Sequence, residues 1–578
     1  MYKKISISIL LFMVVIGVIL HYRHQAHMER GAYAALQSGY LNLKNGKKLQ
    51  AIGDFSFLID FYGKKSNTTV QETVAEALLK KAEILVDVKN TDDAILTLEQ
   101  LSNLYLKSNN KKLKFDVAQA LFTEGSLLLE QEQYEPAMIT LSHLVSVYGK
   151  SKNIEIKRMV AQAMYKETEI LNHWGKTDTA LNIHSSIIEQ FIKEKDPTIR
   201  LIAAKSVMAR TANRLNNREW GLALYNSNIF IKIFNDDTSP IIKDFLAHNL
   251  LYRAEILHRV KVIPNEEKDL FGDDPQSAAL KTYDELLTLI SNQDNGEYPR
   301  YKAAALLGKA QIFLQQKKYT EALNLCNTIY ESFSKSDVTK IKDIVARSLL
   351  TKAQILSATQ QYKQALVTYD LIIQSYHYDD NHYTINSVLI SSYIEASALL
   401  EQLNDNDEAL KLLNQAINIF KDTHNEHIYF KVSEAYMAMA ALQVKLKLYD
   451  NAVTTYTSLI AVAHHKTLPS IRYNGALAII KKAELLIKQQ KGKEIKQTYD
   501  LLTNFYKNDQ NIKVREVVAQ GMYDRAKSLF EHNRGYTAVD IIRQIFLLFD
   551  KDKTNPTIHS VLEKTKDLQK QLGSTIVW

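Results

Sequence analysis

The chain has 578 residues, 46% of them apolar and 24% charged, and carries a net charge of +8 from 72 basic and 64 acidic side chains. The basic excess is spread along the chain with no basic run interleaved with aromatics, so nucleic-acid binding has no local support. One cysteine, Cys326, excludes an internal disulfide; 18 Gly and 8 Pro suit an almost loop-free helical chain.

From the N-terminus, Ile5 to Leu20 carries no charged side chain and covers about 24 Å as a helix, enough for a thin bilayer. Lys3 and Lys4 precede the run; His21, Arg23 and His24 follow it. No small-residue cleavage site stands directly behind it, and the Ala-x-Ala at Ala32-Tyr33-Ala34 is too far downstream. The expectation is therefore a retained transmembrane anchor over residues 1–24 rather than a cleaved signal peptide. The balance of flanking positive charge leans to a cytoplasmic N-terminus, which makes this a single-pass protein with the remainder on the far side, the periplasm if the membrane is a bacterial inner membrane. His21, His24 and His27 would spread over about 120° of helix surface, too broad for one metal ion.

Residues 30–556 repeat themselves. Taking a small residue as index, the series is Ala51, Ala94, Ala137, Ala180, Ala223, Ala279, Ala322, Ala365, Ala409, Ala452, Ile495 and Ala538. Nine of its eleven steps are 43 residues, one is 44 and one is 56, so the period is structural. Around Ala322, apolar residues Leu323, Cys326, Ile329, Tyr330 and Phe333 line one side of a helix. Eleven past the index an aromatic recurs (Tyr62, Tyr105, Tyr148, Phe191 and onward), with Ile290 and Ala463 as exceptions. Twelve before it stands a second small side chain, such as Gly39, Ala82, Gly125, Ala310 or Ala526. Two small residues so placed let antiparallel helices approach closely across a short turn. The prolines keep the phase: Pro197, Pro240 and Pro469 each fall seventeen past an index, between repeats.

The long step holds an acidic insertion, residues 262–275, in the turn of the sixth hairpin, with Leu270 and Phe271 at its centre. It reads as a solvated loop or as a spur on which a partner docks. After the array, Thr557 to Gly573 has the spacing of an amphipathic helix that covers the end of the stack, within a C-terminal segment 557–578 ending in the apolar tail Ile576-Val577-Trp578.

Small residues twelve apart, with large apolar residues four and seven past the second (Phe55 and Leu58, Leu98 and Leu101, Tyr499 and Leu502), give the chain a resemblance to the tetratricopeptide-repeat family over residues 30 to 558. The period here is longer than the family's usual value of about 34 residues, so both helices are expected to be longer. The resemblance implies an all-α fold: a right-handed superhelical solenoid of about twelve hairpins, here on an N-terminal transmembrane helix. The aromatic that ends each second helix is similar to a variant found in bacterial envelope-assembly proteins, without the proline that usually follows.

In this family ligands usually lie against the first helices. Positions fifteen and eleven before the index then form two rows, one apolar with Leu79, Phe122 and Tyr165, the other polar with Glu83, Glu169, Gln311, Gln354 and Glu484. With Leu270 and Phe271 these are the candidate partner-binding residues. They suit an extended or helical peptide with apolar anchors and basic character, set against packing between repeats and ordinary solvated surface. The sequence holds no nucleotide loop, nucleophile elbow or metal-ligand pair, so the reading is a non-enzyme with no catalytic residue, no metal, no cofactor and no small-molecule substrate. Its function is expected to be a membrane-anchored scaffold or adaptor for protein–protein interactions in bacterial cell-envelope assembly, secretion or export. The alternative is a client-protein receptor for a translocation machinery, with its array in the cytosol.

Overall fold

In the computed structural model the backbone is described for residues 2–293, 295–532 and 534–575, and the side chains for the same residues except 2–12, 15, 574 and 575. All regular structure among them is helical. The chain divides into two compact units, Met1–Asn292 and Gln293–Trp578. Each contains six helical hairpins.

In the first unit the hairpins pair Tyr2–Lys44 with Lys48–Tyr62, Thr68–Asp87 with Thr91–Tyr105, Lys111–Glu130 with Tyr134–Tyr148, Ile154–His173 with Thr177–Phe191, Pro197–Asn216 with Trp220–Phe234, and Pro240–Arg259 with Pro275–Leu289. In the second they pair Tyr298–Gln315 with Tyr319–Phe333, Thr339–Ala358 with Tyr362–Ser375, Tyr383–Gln402 with Asn406–Phe420, Glu426–Lys445 with Tyr449–Ala463, Pro469–Lys488 with Gly492–Tyr506, and Ile512–Glu531 with Gly535–Phe549. We number them 1 to 12. The repeat is spent unequally: a typical first helix has 20 residues and a second helix 15, so the first helix carries most of the added length.

The reason these segments pair lies in the two small positions. Of the twelve index residues, the eleven alanines are all at most 1% exposed. Their partners twelve residues earlier, with Ala254 taking that place in hairpin 6, are also buried, and where the partner is glycine there is no room for more. A Cβ on Gly125 would meet Leu141 Cδ2 at 2.7 Å, and one on Gly39 would meet the ring of Phe55 at 2.4 Å. Next to this contact the large residues four and seven past the index are buried: Phe55 and Leu58, Leu98 and Leu101, Leu141 and Leu144.

Within most hairpins the first helix ends in a residue of positive φ five before the index. These are Lys89, Glu132, Arg218, Lys317, Gln360, Asn404, Lys447 and Gln490, with Gly46 and Gly175 in the same slot. The backbone closes there as a left-handed C-cap: Lys89 N donates to Val86 O and Asn90 N to Leu85 O. Between hairpins, an Asn or Asp sixteen past the index caps the next first helix. Asn110 Oδ1 accepts from Lys112 N and Leu113 N, and Asn67, Asn153, Asp196, Asn425 and Asn511 do the same at their helices. Pro197, Pro240 and Pro469 then sit at the first helical position, where a missing N–H leaves nothing unpaired.

A basic residue near the start of several first helices reaches the loop that follows the same hairpin, 37 residues on. Arg472 Nε donates to Asp509 at 2.7 Å and Arg515 Nε to Asp552 at 2.7 Å; Arg200 pairs with Asp237, and Lys157 with Glu194 at 2.6 Å. Arg200 and Arg515 also lie over the rings of Phe234 and Phe549, at 4.8 and 5.0 Å, so the aromatic ending each of these second helices is clamped from above. After hairpin 12 the helix Pro556–Thr575 packs on both of that hairpin's helices, burying Ile558, Val561, Leu562, Leu568 and Leu572. Ile576-Val577-Trp578 lies outside the described residues.

The transmembrane anchor expected over residues 1–24 is overturned. No helix among the described residues is long and apolar enough to cross a membrane. The first helix runs unbroken over Tyr2–Lys44. Its apolar run, shorter than the roughly 20 residues a hydrocarbon core requires, gives way at His21 to polar sequence, and by Ala32 and Leu36 the helix is inside the core of hairpin 1. Much of the run, residues 5–12 and 15, lies outside the described side chains. The single-pass inner-membrane placement, the periplasmic array and the membrane as a partner fall with the anchor.

Two glycines separate close approach from helix propensity. Gly125→Leu forces a side chain against Leu141 and is expected to destabilise the first unit by about 1–3 kcal/mol. Gly53→Ala, where a Cβ meets nothing within 4 Å, is expected to stabilise it by about 0.5–1 kcal/mol. Denaturant unfolding of the two variants checks both signs.

Candidate functional site

The first helices of hairpins 2 and 3 lie side by side and leave a groove of about 510 Å³ between them. Leu79 and Glu83, two of the residues singled out by their spacing, line it together with Glu76, Asp87, Gln119 and Thr123. Residues one helical turn apart on the 20-residue helix Thr68–Asp87 present one face, and the neighbouring helix places Gln119, Thr123 and Leu127 opposite it. It is lined by apolar Leu79, Leu98 and Leu127 and by three carboxylates, Glu76, Glu83 and Asp87, against one cation, Lys80.

These carboxylates are held but not enclosed. Glu83 pairs with Lys80 at 2.6 Å on its own helix, with 67% of its side chain exposed. Asp87 pairs with Lys48 at 2.7 Å. Glu76 accepts from the Tyr40 hydroxyl at 2.8 Å and from Lys112 Nζ at 3.4 Å; burial and this carboxylate push the Tyr40 hydroxyl pKa upward. Exposed pairs of this kind contribute at most about 1 kcal/mol each, so an incoming cation displaces them at little cost.

Behind the groove stands a set of buried carboxyls that spacing did not single out. Glu124, next in sequence to Thr123, is 8% exposed; its Oε1 accepts from Thr140 at 3.0 Å, and Oε2 has no partner among the described residues. Burial pushes its pKa up to about 7 and that of Asp116 up to about 6. Glu167, which accepts from Ser142 at 2.6 Å, is raised by the same cause. The signal available in sequence was weak: Glu124 and Glu167 each stand thirteen before an index, adjacent to the small position, a slot the closure of the hairpin must bury.

The other expected residues are dispersed. In the first unit Phe122 and Tyr165 are half-buried, and Tyr165 lies 5.9 Å from the ring of His184 with Lys205 Nζ 5.3 Å from its own. Glu169 is exposed. The insertion lies down rather than projecting. Ile263 is 1% exposed, Pro264 sits 3.7 Å from where a Cβ on Gly221 would be, and Asn228 Nδ2 donates to Glu267 at 2.6 Å. Phe271 is half-buried with the Arg253 guanidinium 5.5 Å from its ring, whereas Leu270 remains 57% exposed. In the second unit Gln354 Nε2 donates to Glu395 at 3.0 Å on the next first helix, Glu484 pairs with Lys481 at 3.1 Å, and Gln311 is half-buried. Cys326 is 1% exposed, and burial pushes its thiol pKa up to about 12. Among the described residues, no group of three or more His, Cys, Asp or Glu side chains could hold a metal ion.

No protein-family model matches this chain, and no curated protein matches it. Among solved structures it is similar to yeast Tom70, at 14% identity over 94% of this chain and 96% of that one, with a TM-score of 0.34. It is also similar to a tetratricopeptide repeat protein from Parabacteroides merdae, at 15% identity over 56% of this chain and 99% of that one, TM-score 0.26. The apo form of RapI is similar at 13% identity over 68% of this chain and 99% of that one, TM-score 0.35. These structural neighbours are tetratricopeptide-repeat proteins.

The buried carboxyls predict a pH dependence. For Glu124 the folded pKa of about 7 lies above the ordinary 4.5, so the folded state holds the proton more tightly. Its contribution is fully present below pH 4.5 and is lost as pH rises through 7. Glu124→Gln keeps an acceptor for Thr140 and removes the titration. The variant is expected to match the wild type near pH 4.5 and to exceed it by up to about 3 kcal/mol at pH 8. Melting and hydrogen exchange of the helix Lys111–Glu130 across that range check it.

Proposed function

We propose that the chain is a non-enzymatic scaffold that binds partner proteins through peptide segments laid against its first helices. The groove formed by Leu79, Glu83 and Glu76 in hairpins 2 and 3 is one such place. Apolar lining side chains beside carboxylates fit a peptide that carries a large apolar side chain beside Lys or Arg. The single observation that supports the reading is that Leu79 and Glu83, one turn apart, line one cavity across two repeats. Phe122, Tyr165, Glu169, Gln311, Gln354 and Glu484 are proposed as further contacts at the corresponding positions, and Leu270 as an exposed contact on the insertion with Phe271 beneath Arg253. The envelope assignment, and the translocation-receptor alternative, both drew on the membrane anchor and are not retained.

Panning a random peptide library on the full chain tests this. Peptides with a basic residue within a few positions of a large apolar one are expected to be enriched. Leu79→Ala is expected to weaken them about tenfold, the effect of losing one buried apolar anchor, and Glu83→Lys to shift the selection toward acidic peptides. Enrichment that neither substitution changes would refute the groove as the binding place.

A further inference from the structure

The array breaks its own rule once at the index position, and a cavity of about 630 Å³ lies there. In hairpin 11 the index residue is Ile495 instead of alanine. The isoleucine is half-exposed, whereas the index alanines of the other hairpins are buried. Three residues earlier Gly492 stands where other hairpins carry Tyr134, Trp220, Tyr319, Tyr362 or Tyr449, and a Cβ there would meet nothing within 4 Å. The larger index residue and the missing aromatic together leave a cavity of about 630 Å³ between hairpins 11 and 12, lined by both residues. That size is usual for small-molecule sites, about 300–1,000 Å³.

The lining is cationic. Lys496, Arg525, Arg534 and His532 face the cavity, and no carboxylate is among its lining residues. Arg525 is positioned from behind: Asp500 Oδ1 holds its Nη2 at 2.8 Å, and the ring of Tyr499 lies 5.9 Å from its guanidinium carbon. Its side chain is 15% exposed, so it is preorganised rather than swinging in solvent. Lys496 and Arg534 are exposed. Apolar contact comes from Ile487, Ile495 and Leu529. A departure from local repeat rules without a packing gain marks a functional position more often than a structural one.

We propose that this cavity binds a small organic anion, with a phosphate or carboxylate group at Arg525, Lys496 and Arg534 and an apolar body against Ile495 and Leu529. The site lies in the second unit and does not depend on the peptide groove of the first. Phenyl phosphate, benzoate and neutral benzyl alcohol titrated into the full chain by calorimetry provide the test. Phenyl phosphate or benzoate is expected to bind, the tighter of the two naming the head group, and benzyl alcohol is expected not to. Lys496→Gln with Arg534→Gln is expected to weaken the anion at least tenfold, and Gly492→Tyr, which restores the residue common in sibling hairpins, to abolish binding. Both exposed cations are replaced without touching the core, so the double variant decides the matter even if Gly492→Tyr fails to fold. Benzyl alcohol binding as tightly as the anions, undiminished binding in the double variant, or no binding of either anion at millimolar concentration would overturn the proposal.

Discussion

Each hairpin depends on the contact of two side chains small enough for two helix backbones to meet. At that distance the residues four and seven past the index have nowhere to go but into the layer between helices, and the neighbouring repeat completes their enclosure. None of these hairpins has a core of its own, since its apolar face is covered only when the next first helix is laid against it. The cost of enlarging the small position is visible at Ile495, where the side chain is not enclosed and space opens beside it. At Ala463, where siblings carry an aromatic, the following hairpin answers with Gly475, and a Cβ there would lie 2.6 Å from that of Ala463. Both members of that contact are small, and the Tyr506 hydroxyl closes on them, 2.4 Å from where the same Cβ would be.

Hydrogen bonds and ion pairs set the phase of the stack more than they hold it. An Asn cap contributes about 1 kcal/mol, and an exposed ion pair less; the enclosed apolar side chains of each repeat outweigh both. What the caps do is fix where a helix begins. Asn110 and Asn153 each cap two N–H groups at the start of a first helix, and the Arg–Asp pairs spanning 37 residues tie that start to the end of its own hairpin. The clamp also gives the terminal aromatic a fixed face, which a loop would otherwise leave mobile.

Function in such a chain is carried by what the stack leaves open. Grooves between first helices arise because those helices are longer than their partners and present polar faces side by side. The groove of hairpins 2 and 3 is acidic and backed by carboxyls that burial makes weaker acids. Its electrostatic character comes chiefly from Glu76, Glu83 and Asp87, which line it, while Glu124, its pKa pushed up to about 7 by burial, carries only part of a charge near neutral pH.

The spacing of Ala, Gly and aromatic residues determined the helical hairpins, their number and the long turn of the sixth, because close packing demands small side chains at a fixed period. Leu79 and Glu83 were legible for the same reason: one turn apart on a helix means one face. The left-handed turn residues were not, since only Gly46 and Gly175 announce them while Lys89, Glu132 and Gln490 accept the conformation under the pull of the hairpin's closure. Glu76, the Arg515–Asp552 pair and the cavity beside Gly492 belong to contacts between residues distant in sequence, which no local pattern records. The apolar run at residues 5–20 shows the converse limit. Hydropathy alone marked it as an anchor, and tertiary structure made it part of one unbroken helix that enters the first hairpin, because what a helix does is decided by its whole length and by what packs on it.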